Sequence, residues 1–517
     1  MVTEDQTEVI EFLAAPSTHG TPAVERIDTH SSVVFLAGDR AYKLKRAVRF
    51  DYLDFSTAER RRAMSGAEVR LNRRTAPGIY RGVLPITREP GGRLALGGSG
   101  APVDWVVAMN RFPQEALFDR LAAAGRLDLE LMPLLGTAIA DFHRIAEPRT
   151  DHGGTSGMAW VIDGNAEGFA EYGTDVLDRA ACRRLTEASR AELARRSAWL
   201  DERRAAGFVR QCHGDLHLRN IVLLDGRPTL FDGVEFNDEI ACTDVLYDFA
   251  FLLMDLWRRA LPRHANAVWN RYLAETGEFT GLSLLPLFLS CRAAVRAKTS
   301  ATAARLQPDA RRSRELQSSA REYLAMAETL LTPPRPCLIA IGGFSGTGKS
   351  TLALGLAPGV GAVPGAVVIR SDEIRKQLAG VPALQRLGPE GYSPEMSERV
   401  YAAAAERARL IIRQGHSAIV DAVYARPGDR QEIERVAADA SVPFAGIWLE
   451  APEATLVARV EERRHDPSDA DAAVVRLQHA QHTGAIGWRR IDASMAPEAV
   501  LEHAAAYLDE QTVRVDM

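Results

Sequence analysis

Residues 343–350 carry the densest chemistry in the sequence, because glycines there precede a lysine and a serine. The segment reads Gly343-Phe344-Ser345-Gly346-Thr347-Gly348-Lys349-Ser350 and comes shortly after the apolar run Cys337–Ile341. Glycines allow successive backbone N–H groups to point at phosphate oxygens, and the helix that follows adds the positive end of its dipole. The spacing predicts a site for ATP or GTP in which Lys349 reaches the terminal phosphates and Ser350 binds Mg²⁺. The residues expected to touch the nucleotide are Gly343, Ser345, Gly346, Thr347, Gly348, Lys349, Ser350 and Thr351.

Two aspartates follow later apolar runs that read as strands. Asp372 comes after Val367–Ile369, and Asp421 comes directly after Ala418–Val420. Ligands of parallel sheets dock at the carboxyl ends of the strands. We therefore expect Asp372 to accept the proton of an acceptor hydroxyl and Asp421 to orient the magnesium ion or its water. The alternative for Asp372 is that it only caps the helix it precedes.

Arginines near these aspartates can hold anionic groups. Arg370 and Arg375 flank Asp372 and can grip an anionic substituent of the acceptor. Arg459 and Arg463 lie four residues apart, which places them on one face of a predicted helix. We expect this second pair to stabilise charge on the phosphates during transfer, and the alternative is an arginine-rich face in contact with solvent.

A second cluster lies much earlier, in His213-Gly214-Asp215-Leu216-His217-Leu218-Arg219-Asn220. Its Asp-x4-Asn spacing is that of a kinase catalytic loop, which places the aspartate on the acceptor hydroxyl and the asparagine on Mg²⁺. We therefore predict Asp215 at the acceptor and Asn220 as a metal ligand. Two other interpretations stay open: His213, Asp215 and His217 can bind zinc or iron, or the segment can be a buried polar turn.

A turn predicts a second carboxylate for the same metal ion. Asp225-Gly226 suits a two-residue hairpin turn between two apolar runs. Counting back from that turn pairs Asn220 with Phe231 and so places Asp232 beside Asn220. The sequence therefore predicts that two magnesium ligands converge there.

Kinase chemistry also needs a cation on the phosphates and a carboxylate that holds this cation. Lys43 and Lys45 alternate along the run Ala41–Lys45 and share one strand face, and Glu68 lies on the predicted helix Thr57–Leu71. We predict that Glu68 pairs with one of the two lysines, which then contacts the nucleotide. Either lysine can instead be an exposed charge on an edge strand.

The elements that must position the earlier cluster begin with short strands. Ser32–Leu36 and the run that carries the lysines form a predicted hairpin, and Val103–Met109 is a further strand before helical sequence that begins at about Leu131. This order predicts a small strand-rich lobe over residues 1–110 and a helical lobe over residues 111–331. Together they would form a bilobal α+β domain like that of protein kinases.

A proline-rich segment at residues 332–336 precedes the last part of the chain. It reads Thr332-Pro333-Pro334-Arg335-Pro336, and its three prolines deny the backbone helical hydrogen bonds. Beyond this linker, short apolar runs alternate with helical periodicity, which is typical of a parallel sheet with helices on its faces. We expect an α/β domain with a parallel sheet over residues 337–517.

Composition restricts the class of protein. Of 517 residues, 46% are hydrophobic and 25% are charged, which is typical of a globular protein and not of a disordered or membrane-embedded one. The formal net charge of −5 gives no general attraction for nucleic acid or an anionic membrane. The first residues lack the pattern of a signal peptide, and five cysteines without a Cys-x-x-Cys pair favour a reducing compartment. We expect a cytoplasmic protein without membrane or nucleic-acid partners.

The motifs after the linker resemble those of P-loop small-molecule kinases, a group that includes gluconate kinase, chloramphenicol phosphotransferase, zeta toxin and polynucleotide 5′-kinase domains. The resemblance covers Cys337 to about Asp492 and rests on GFSGTGKST, IRSDEIR, IVDAVYARPGDR and ARVEERRHDPSDA. It implies that Asp372 is the base or orients the hydroxyl. It also implies that Arg459 and Arg463 are lid arginines.

The earlier motifs are similar to the aminoglycoside phosphotransferase-like branch of the protein-kinase fold, over about residues 20–330. The similarity rests on CHGDLHLRNIVL, LFDGVEF and YKLKR. It implies that Asp215 is the catalytic base, that Asn220 and Asp232 are the metal ligands, and that Lys45 is the phosphate lysine. The order of the two halves resembles bacterial fusions of a phosphotransferase with an ATP-binding domain.

These observations predict a phosphotransferase with two kinase sites, each of which uses ATP and Mg²⁺ to phosphorylate a hydroxyl group. The acceptor would be a small molecule such as a sugar, a sugar acid or an aminoglycoside-like compound. One alternative is that only one half catalyses and the other senses nucleotide, since Thr29-His30-Ser31-Ser32 lacks the family's glycine-rich nucleotide loop. Another is a polynucleotide 5′-hydroxyl kinase in the C-terminal half, which the scarcity of basic stretches with interleaved aromatic residues disfavours.

Overall fold

The structure is a computed structural model that describes residues 2–50, 52–172, 175–462 and 468–511. The chain divides into two compact units, one of residues 1–167 and 190–255 and the other of residues 168–189 and 256–517. The predicted fold class is confirmed, since an antiparallel sheet with helices comes first and a parallel sheet with helices comes last. The lobes and linker expected at 1–110, 111–331 and 332–336 are a division by motif and stay a prediction.

A six-stranded antiparallel sheet forms the first part of unit one. Its strand order is β1-β2-β3-β8-β6-β7, and a separate two-stranded pair, β4–β5, connects β3 to a helix. Side chains such as Val33, Phe35, Leu44 and Val106 are fully buried on one face. The strands are β1 Val24–Asp28, β2 Ser32–Ala37, β3 Arg40–Lys45, β4 Arg49–Phe50, β5 Leu53–Asp54, β6 Tyr80–Arg88, β7 Leu94–Leu96 and β8 Ala101–Asn110.

The helix that follows β5 buries polar side chains rather than apolar ones. It spans Ala58–Asn72, and the side chain of the preceding residue, Thr57, accepts a hydrogen bond from a backbone N–H of the first turn. Arg61, Ser65, Glu68 and Asn72 recur at helical spacing and are at most 2% exposed. Buried polar groups are costly unless they are paired. Arg61 pairs with Asp104, Glu68 with Lys43, and Asn72 with the Gly233 N–H, so these partners allow the helix to pack.

Helices, one short hairpin and the antiparallel strand pair β9–β12 make up the rest of unit one, and helices continue into unit two. The hairpin β10–β11 pairs Leu224 with Arg227 across Asp225-Gly226, as the sequence predicted. No helix in the described ranges combines the length and apolarity needed to cross a bilayer. The helices up to the proline-rich segment are α1 Thr7–Ala14, α2 Pro16–His19, α3 Ala58–Asn72, α4 Phe118–Ala123, α5 Leu131–Ile145, α6 Gly154–Tyr172, α7 Arg179–Ala205, α8 Asp238–Ala241, α9 Val245–Arg258, α10 Pro262–Thr276, α11 Leu285–Leu306 and α12 Ala310–Leu330. The short strands are β9 Val209–Gln211, β10 Ile221–Leu224, β11 Arg227–Leu230 and β12 Cys242–Asp244.

A five-stranded parallel sheet organises unit two. Its order is β14-β15-β13-β16-β17, and β13, which precedes the glycine-rich segment, lies at its centre. Continuous apolar runs such as Leu338–Ile341 are fully buried, as expected of strands covered on both faces. The strands are β13 Leu338–Gly343, β14 Val367–Arg370, β15 Ala418–Asp421, β16 Phe444–Glu450 and β17 Arg489–Asp492. The helices are α13 Lys349–Leu356, α14 Ser371–Leu378, α15 Pro394–Arg413, α16 Pro427–Asp439, α17 Glu453–Glu462, α18 Ala472–His479 and α19 Pro497–Glu510.

Two asparagines of α10 bind the edge strand of this sheet. The Asn270 side chain accepts a hydrogen bond from the Val368 backbone N–H at 2.7 Å, and the Asn266 side chain donates to the Ala366 carbonyl at 3.0 Å. An edge strand presents unpaired backbone groups that invite pairing with other chains. The asparagines satisfy part of that edge, so helix α10 belongs to the same packed body as the parallel sheet.

Candidate active sites

The N-terminal site is built around a buried network of opposite charges. Lys43 on β3 lies 2.9 Å from a Glu68 oxygen and 2.5 Å from an Asp232 oxygen. Glu68 on α3 is fully buried, whereas the Asp232 side chain is 41% exposed. Burial alone would raise the pKa of Glu68, but the ammonium groups of Lys43 and Lys45 lower it. Lys43 is therefore the cation that connects the helix to the open part of the site, and the predicted partnership with Glu68 is present.

Lys45 occupies a more enclosed position than Lys43. Its side chain is 1% exposed, its ammonium lies 2.6 Å from the second Glu68 oxygen, and it also contacts Glu235. The ammonium further lies 4.8 Å from the centre of the Phe55 ring. Glu68 thus binds both lysines that the sequence proposed, and Lys45 is surrounded by protein groups while Lys43 borders the exposed Asp232.

The predicted catalytic loop orients Asp215 through Asn220. The Asn220 side-chain amide donates to an Asp215 carboxylate oxygen and to the Asp215 backbone carbonyl, both at 2.9 Å. His217 lies 3.3 Å from the same carboxylate oxygen, and the Asp215 side chain is 41% exposed. Asp215 is thus held in place and still accessible, which is what a group that receives a proton from a bound hydroxyl requires.

Asp232 is brought beside this loop by the hairpin and by an unusual backbone. The Phe231 N–H donates to the Asn220 carbonyl at 3.0 Å, which continues the predicted register. Asp232 has a φ of 61°, a left-handed conformation that is rare for residues other than glycine. Its N–H donates to the Tyr80 hydroxyl at 3.1 Å, and the next N–H, of Gly233, donates to the Asn72 side chain at 2.7 Å. Strained backbone of this kind persists only where the surroundings fix it, and it is common at functional sites.

Helix α9 supports the catalytic loop with two aspartates that sequence analysis did not assign. Asp248 accepts a hydrogen bond from the Gly214 N–H at 2.8 Å, and its other oxygen lies 3.1 Å from His143. Asp255 accepts from the Leu218 N–H at 3.1 Å. Both aspartates are at most 7% exposed inside an apolar helix. Two aspartates within an otherwise hydrophobic run are the feature of the sequence that could have indicated this supporting role.

The alternative metal site at His213, Asp215 and His217 is not supported by the geometry. The His213 Nε2 atom lies 2.9 Å from the Phe231 carbonyl, and its Nδ1 accepts from the Asp215 N–H at 3.4 Å. Both ring nitrogens therefore face the backbone, and the side chain is buried. Burial lowers the pKa of His213, which keeps the ring neutral. His213 is a structural residue of the loop.

The C-terminal site begins with the glycine-rich loop between β13 and α13. Gly346 and Gly348 have φ values of 86° and 85°, and a Cβ on Gly346 would come within 2.7 Å of the Leu456 carbonyl oxygen. Only glycine fits there, as the phosphate-loop prediction requires. The Ser345 N–H donates to the Gln478 side-chain oxygen at 2.8 Å, so one N–H of the loop is directed at an oxygen acceptor. Of the other predicted contact residues, Gly343 ends β13 and Thr347 lies in the loop. The remaining three, Lys349, Ser350 and Thr351, lie in the first turn of α13.

Ser350 and Asp421 meet at the carboxyl end of the central strands. The Ser350 hydroxyl lies 2.5 Å from an Asp421 oxygen, and Arg370 donates to the same hydroxyl at 3.1 Å. Burial raises the pKa of Asp421, whereas Lys349 and Arg370 lower it and Asp372 raises it. Ser350, Lys349, Arg370 and Asp372 therefore all lie within reach of the Asp421 carboxylate. A hydroxyl and a carboxylate side by side are oxygen ligands of the kind that Mg²⁺ prefers, so these residues fit that ion.

Asp372 lies in the first turn of α14, close to an arginine and a tyrosine. The Arg375 guanidinium packs 4.9 Å from the centre of the Tyr392 ring and donates to the Gly391 carbonyl at 2.8 Å. Burial raises the pKa of Tyr392, as do Asp469 and Asp372. Arg375 is 8% exposed, and its Nε makes no hydrogen bond to any residue that the structure describes. The side of the site next to Asp372 is thus lined by a buried cation with an unused donor.

Asp469 holds the segment after the predicted lid arginines against α14. Its carboxylate lies 2.5 Å from the Lys376 ammonium and accepts hydrogen bonds from the Tyr392 hydroxyl at 2.7 Å and the Leu387 N–H at 3.0 Å. The Lys376 side chain is 1% exposed. Sequence analysis did not assign either residue, because their partnership joins positions 93 residues apart.

The structure describes one of the two predicted lid arginines. Arg459 lies on α17 and donates to the Ala493 carbonyl at 2.8 Å, so its guanidinium is bound to the end of β17 in this structure. Arg463 lies outside the described residues. The role of both as lid arginines stays a prediction.

Comparison with known families assigns both parts of the chain. Residues 92–284 match the family model described as the phosphotransferase enzyme family, and residues 338–485 match the one described as an AAA domain. The first part of the chain is thus similar to the phosphotransferase enzyme family and the last part to an AAA domain, which confirms the resemblance stated from the motifs.

Individual relatives extend over the whole chain or over one half. An uncharacterized protein of Mycobacterium tuberculosis is 29% identical over 481 residues, which cover 91% of this chain and 92% of that protein. An adenylyl-sulfate kinase of Myxococcus xanthus is 29% identical over 181 residues, which cover 32% of this chain and 93% of the kinase. A solved choline/ethanolamine kinase family protein from Mesorhizobium loti is 15% identical with a TM-score of 0.40, over 63% of this chain and 94% of that one.

Proposed function

We propose that this protein is a kinase with two phosphotransfer sites, each of which moves the γ-phosphate of ATP to a hydroxyl group of a small molecule with the help of Mg²⁺. The observation that carries the proposal is the exposed Asp215 carboxylate, held by Asn220 at 2.9 Å next to the network of Lys43, Glu68 and Asp232. A base, a phosphate cation and a metal carboxylate in one cleft are the parts that phosphoryl transfer needs.

In the N-terminal site, Lys43 is the better candidate for the phosphate lysine. Its ammonium borders the half-exposed Asp232, whereas Lys45 is enclosed by Glu68, Glu235 and Phe55. The family resemblance favours Lys45, and the difference in enclosure supports Lys43 instead. In this proposal Lys45 neutralises two buried carboxylates and so keeps Glu68 in place for Lys43.

The transfer step at this site uses Asp215 as the proton acceptor. The acceptor oxygen forms a bond to the γ-phosphorus while the bond from that phosphorus to the bridging oxygen of ADP breaks. The hydroxyl proton moves to the Asp215 carboxylate, which Asn220 and His217 keep in position. Asn220 and Asp232 would hold the magnesium ion, whose chemistry is to neutralise charge on the phosphates.

In the C-terminal site, the same roles fall to a different set of residues. The loop N–H groups and Lys349 would bind the phosphates, and Ser350 with Asp421 would hold Mg²⁺. Asp372 would accept the acceptor's proton from its place at the start of α14. The buried Arg375, whose Nε is unpaired among the described residues, supports an acceptor that carries an anionic substituent.

The test is to silence each site separately in the full chain. Asp215→Asn and Lys349→Ala variants would be incubated with γ-labelled ATP and a panel of sugars, sugar acids, amino sugars and nucleosides, and labelled products identified. Each variant is expected to lose one class of product and keep the other. If Asp215→Asn leaves every product unchanged, the first half is not a catalyst for these acceptors and nucleotide sensing becomes its better description. If the wild-type chain labels nothing in the presence of Mg²⁺, the proposed function is wrong.

A further inference from the structure

A row of aromatic rings lies on the connection between β3 and α3. Phe50 ends β4, and Tyr52 follows in the turn to β5. Their rings stack with centroids 5.7 Å apart and an angle of 10° between planes. Phe236 continues the row, with its ring 6.4 Å from that of Tyr52. We call Phe50, Tyr52 and Phe236 the aromatic wall.

The aromatic wall is packed against buried residues on one side, and its Tyr52 ring is exposed. Phe236 packs edge-on against the buried Phe55 ring at 6.2 Å, and the Asn237 side chain donates to the Tyr52 carbonyl at 3.1 Å. Tyr52 is nevertheless 40% exposed. Large exposed apolar groups held in a fixed place are typical of binding surfaces, since exposure of such surface to water is unfavourable.

The aromatic wall borders the N-terminal catalytic residues. Phe236 follows Asp232 by four positions, and the intervening Glu235 contacts Lys45. At the other end, His30 at the tip of the β1–β2 turn lies with its ring 6.4 Å from that of Phe50. Burial lowers the pKa of His30, while Asp215 raises it and Lys43 lowers it, so His30 is within electrostatic reach of both catalytic groups. The row of rings therefore ends at His30, a side chain within electrostatic reach of Asp215 and Lys43.

The charges around the aromatic wall favour a neutral ligand. Four cations that neighbour the aromatic wall in sequence or in the charge network already contact a carboxylate: Lys43 contacts Asp232, Lys45 contacts Glu235, Arg46 contacts Asp28 and Arg49 contacts Asp54. An anionic ligand would have to displace one of these carboxylates. A cationic ligand would be placed next to Lys43 and next to the Mg²⁺ that the proposed function requires.

We propose that the aromatic wall binds the acceptor of the N-terminal site, and that this acceptor is a neutral hydroxylated ring, either a cyclic sugar or a cyclitol. This inference rests on the proposed function of that site. Such rings carry apolar C–H groups on one face and hydroxyl groups around the rim. The C–H face rests on the exposed Tyr52 ring, which Phe50 supports from its other face, and a rim hydroxyl is directed to Asp215. The aromatic surface supplies affinity through burial and ring contact without any charge.

The test uses the full chain with Lys349→Ala, so that only the N-terminal site transfers phosphate. The panel contains glucose, galactose and myo-inositol as neutral rings, sorbitol as a linear polyol, gluconate as an anion and glucosamine as a cation. Two quantities are measured, the transfer of label from ATP and the transfer of NMR saturation from protein aromatic protons to each compound. We expect neutral rings to receive both, with sorbitol at least about tenfold poorer in kcat/KM, because the open chain lacks a preorganised face.

Variants of the aromatic wall separate acceptor binding from catalysis. Tyr52→Ala is expected to raise KM for the ring acceptor about tenfold with kcat nearly unchanged, and Tyr52→Phe is expected to restore KM because it keeps the ring. Trp160→Ala removes an aromatic residue of 44% exposure on α6 and serves as the matched control with unchanged KM. Tyr52 is used because Phe236 also packs on the core and its loss can disturb folding.

The outcomes distinguish this inference from the proposed function. A preference for sorbitol, gluconate or glucosamine overturns the inference, as does an unchanged KM and unchanged saturation transfer in Tyr52→Ala. Failure of every neutral ring to bind or to receive label also overturns it. The proposed function survives these results if any other acceptor is labelled in an Asp215-dependent way, and it fails if none is.

Discussion

Asp248 and Asp255 stand seven residues apart on α9 and bind the two ends of the loop that carries Asp215. Asp248 accepts from the Gly214 N–H at 2.8 Å, and Asp255 accepts from the Leu218 N–H at 3.1 Å. Seven residues are close to two helical turns, so both carboxylates lie on one face of the helix. The loop that carries Asp215 is therefore fixed at both ends by carboxylates of the protein.

Removal of the Asp248 carboxylate should cost both stability and activity. Asp248→Asn replaces an oxygen acceptor with an N–H₂ donor next to backbone N–H groups, which leaves at least one of them without a partner. We expect the free energy of unfolding to fall by about 1–3 kcal/mol and label transfer at the N-terminal site to fall with it. Urea denaturation and the transfer assay measure the two effects. Asp255→Asn, which changes the acceptor of the Leu218 N–H, is the comparison variant. Full retention of stability in Asp248→Asn would contradict the prediction.

The two lysines of β3 should fail in different ways. Lys43→Met is expected to lower N-terminal transfer about 10²-fold or more with little loss of stability, because Glu68 keeps Lys45 as a partner. Lys45→Met is expected to destabilise the fold by about 3–5 kcal/mol, because it leaves Glu235 buried without its cation.

A double variant tests the explanation for Lys45. Lys45→Met combined with Glu235→Gln removes the uncompensated charge and should recover part of the lost stability. Equal effects of Lys43→Met and Lys45→Met on transfer, with equal stabilities, would show that the assignment of separate roles is wrong.

The proposed role of Asp372 as the base of the C-terminal site can be tested by replacing its carboxylate with an amide. Asp372→Asn keeps the shape of the side chain and removes its capacity to take a proton, so kcat at this site should fall about 10²- to 10⁴-fold. ATP affinity should stay close to that of the parent chain, as measured by calorimetry. Glu502→Gln on α19 neutralises an exposed carboxylate of the same unit and is the matched control. A normal kcat in Asp372→Asn would leave this residue as a helix cap only.

His416 should make unit two sensitive to mild acid. Its ring is buried and lies 6.1 Å from that of Trp269, and burial lowers its pKa to about 4. An unfolded histidine titrates near 6.5, so the unfolded chain takes up a proton first as the pH falls. The stability present above pH about 6.5 is thus lost progressively towards pH about 4, by about 3 kcal/mol at the lower end. His416→Leu should show a flatter dependence of unfolding free energy on pH, and an unchanged slope would contradict the prediction.

The part of the N-terminal site that depends on local rules was predictable from the sequence. Asp225-Gly226 adopts positive φ values of 49° and 73°, and the hairpin register follows from that turn. The pairing of Asn220 with Phe231 then needs only counting along two strands. The phosphate loop was predictable for the same reason, because its glycines, lysine and serine are contiguous.

The supporting residues were not predictable, because their partners are distant in sequence. Helix α3 turns Arg61, Glu68 and Asn72 inward, and an amphipathic pattern read from hydrophobicity would point that helix the other way. The preference between Lys43 and Lys45 likewise depends on which lysine meets Asp232, a residue 189 positions away from Lys43. Side-chain contacts of this kind follow from packing and not from spacing.

The asparagines of α10 bear on how this protein can be divided. Asn266 and Asn270 bind the backbone of residues 366–368. A fragment that starts at Cys337 lacks both asparagines and would expose these unpaired backbone groups to other molecules. Such a margin is a template for intermolecular sheet growth. A fragment that begins at the proline-rich segment should therefore aggregate in solution, whereas a fragment that begins before Pro262 should not.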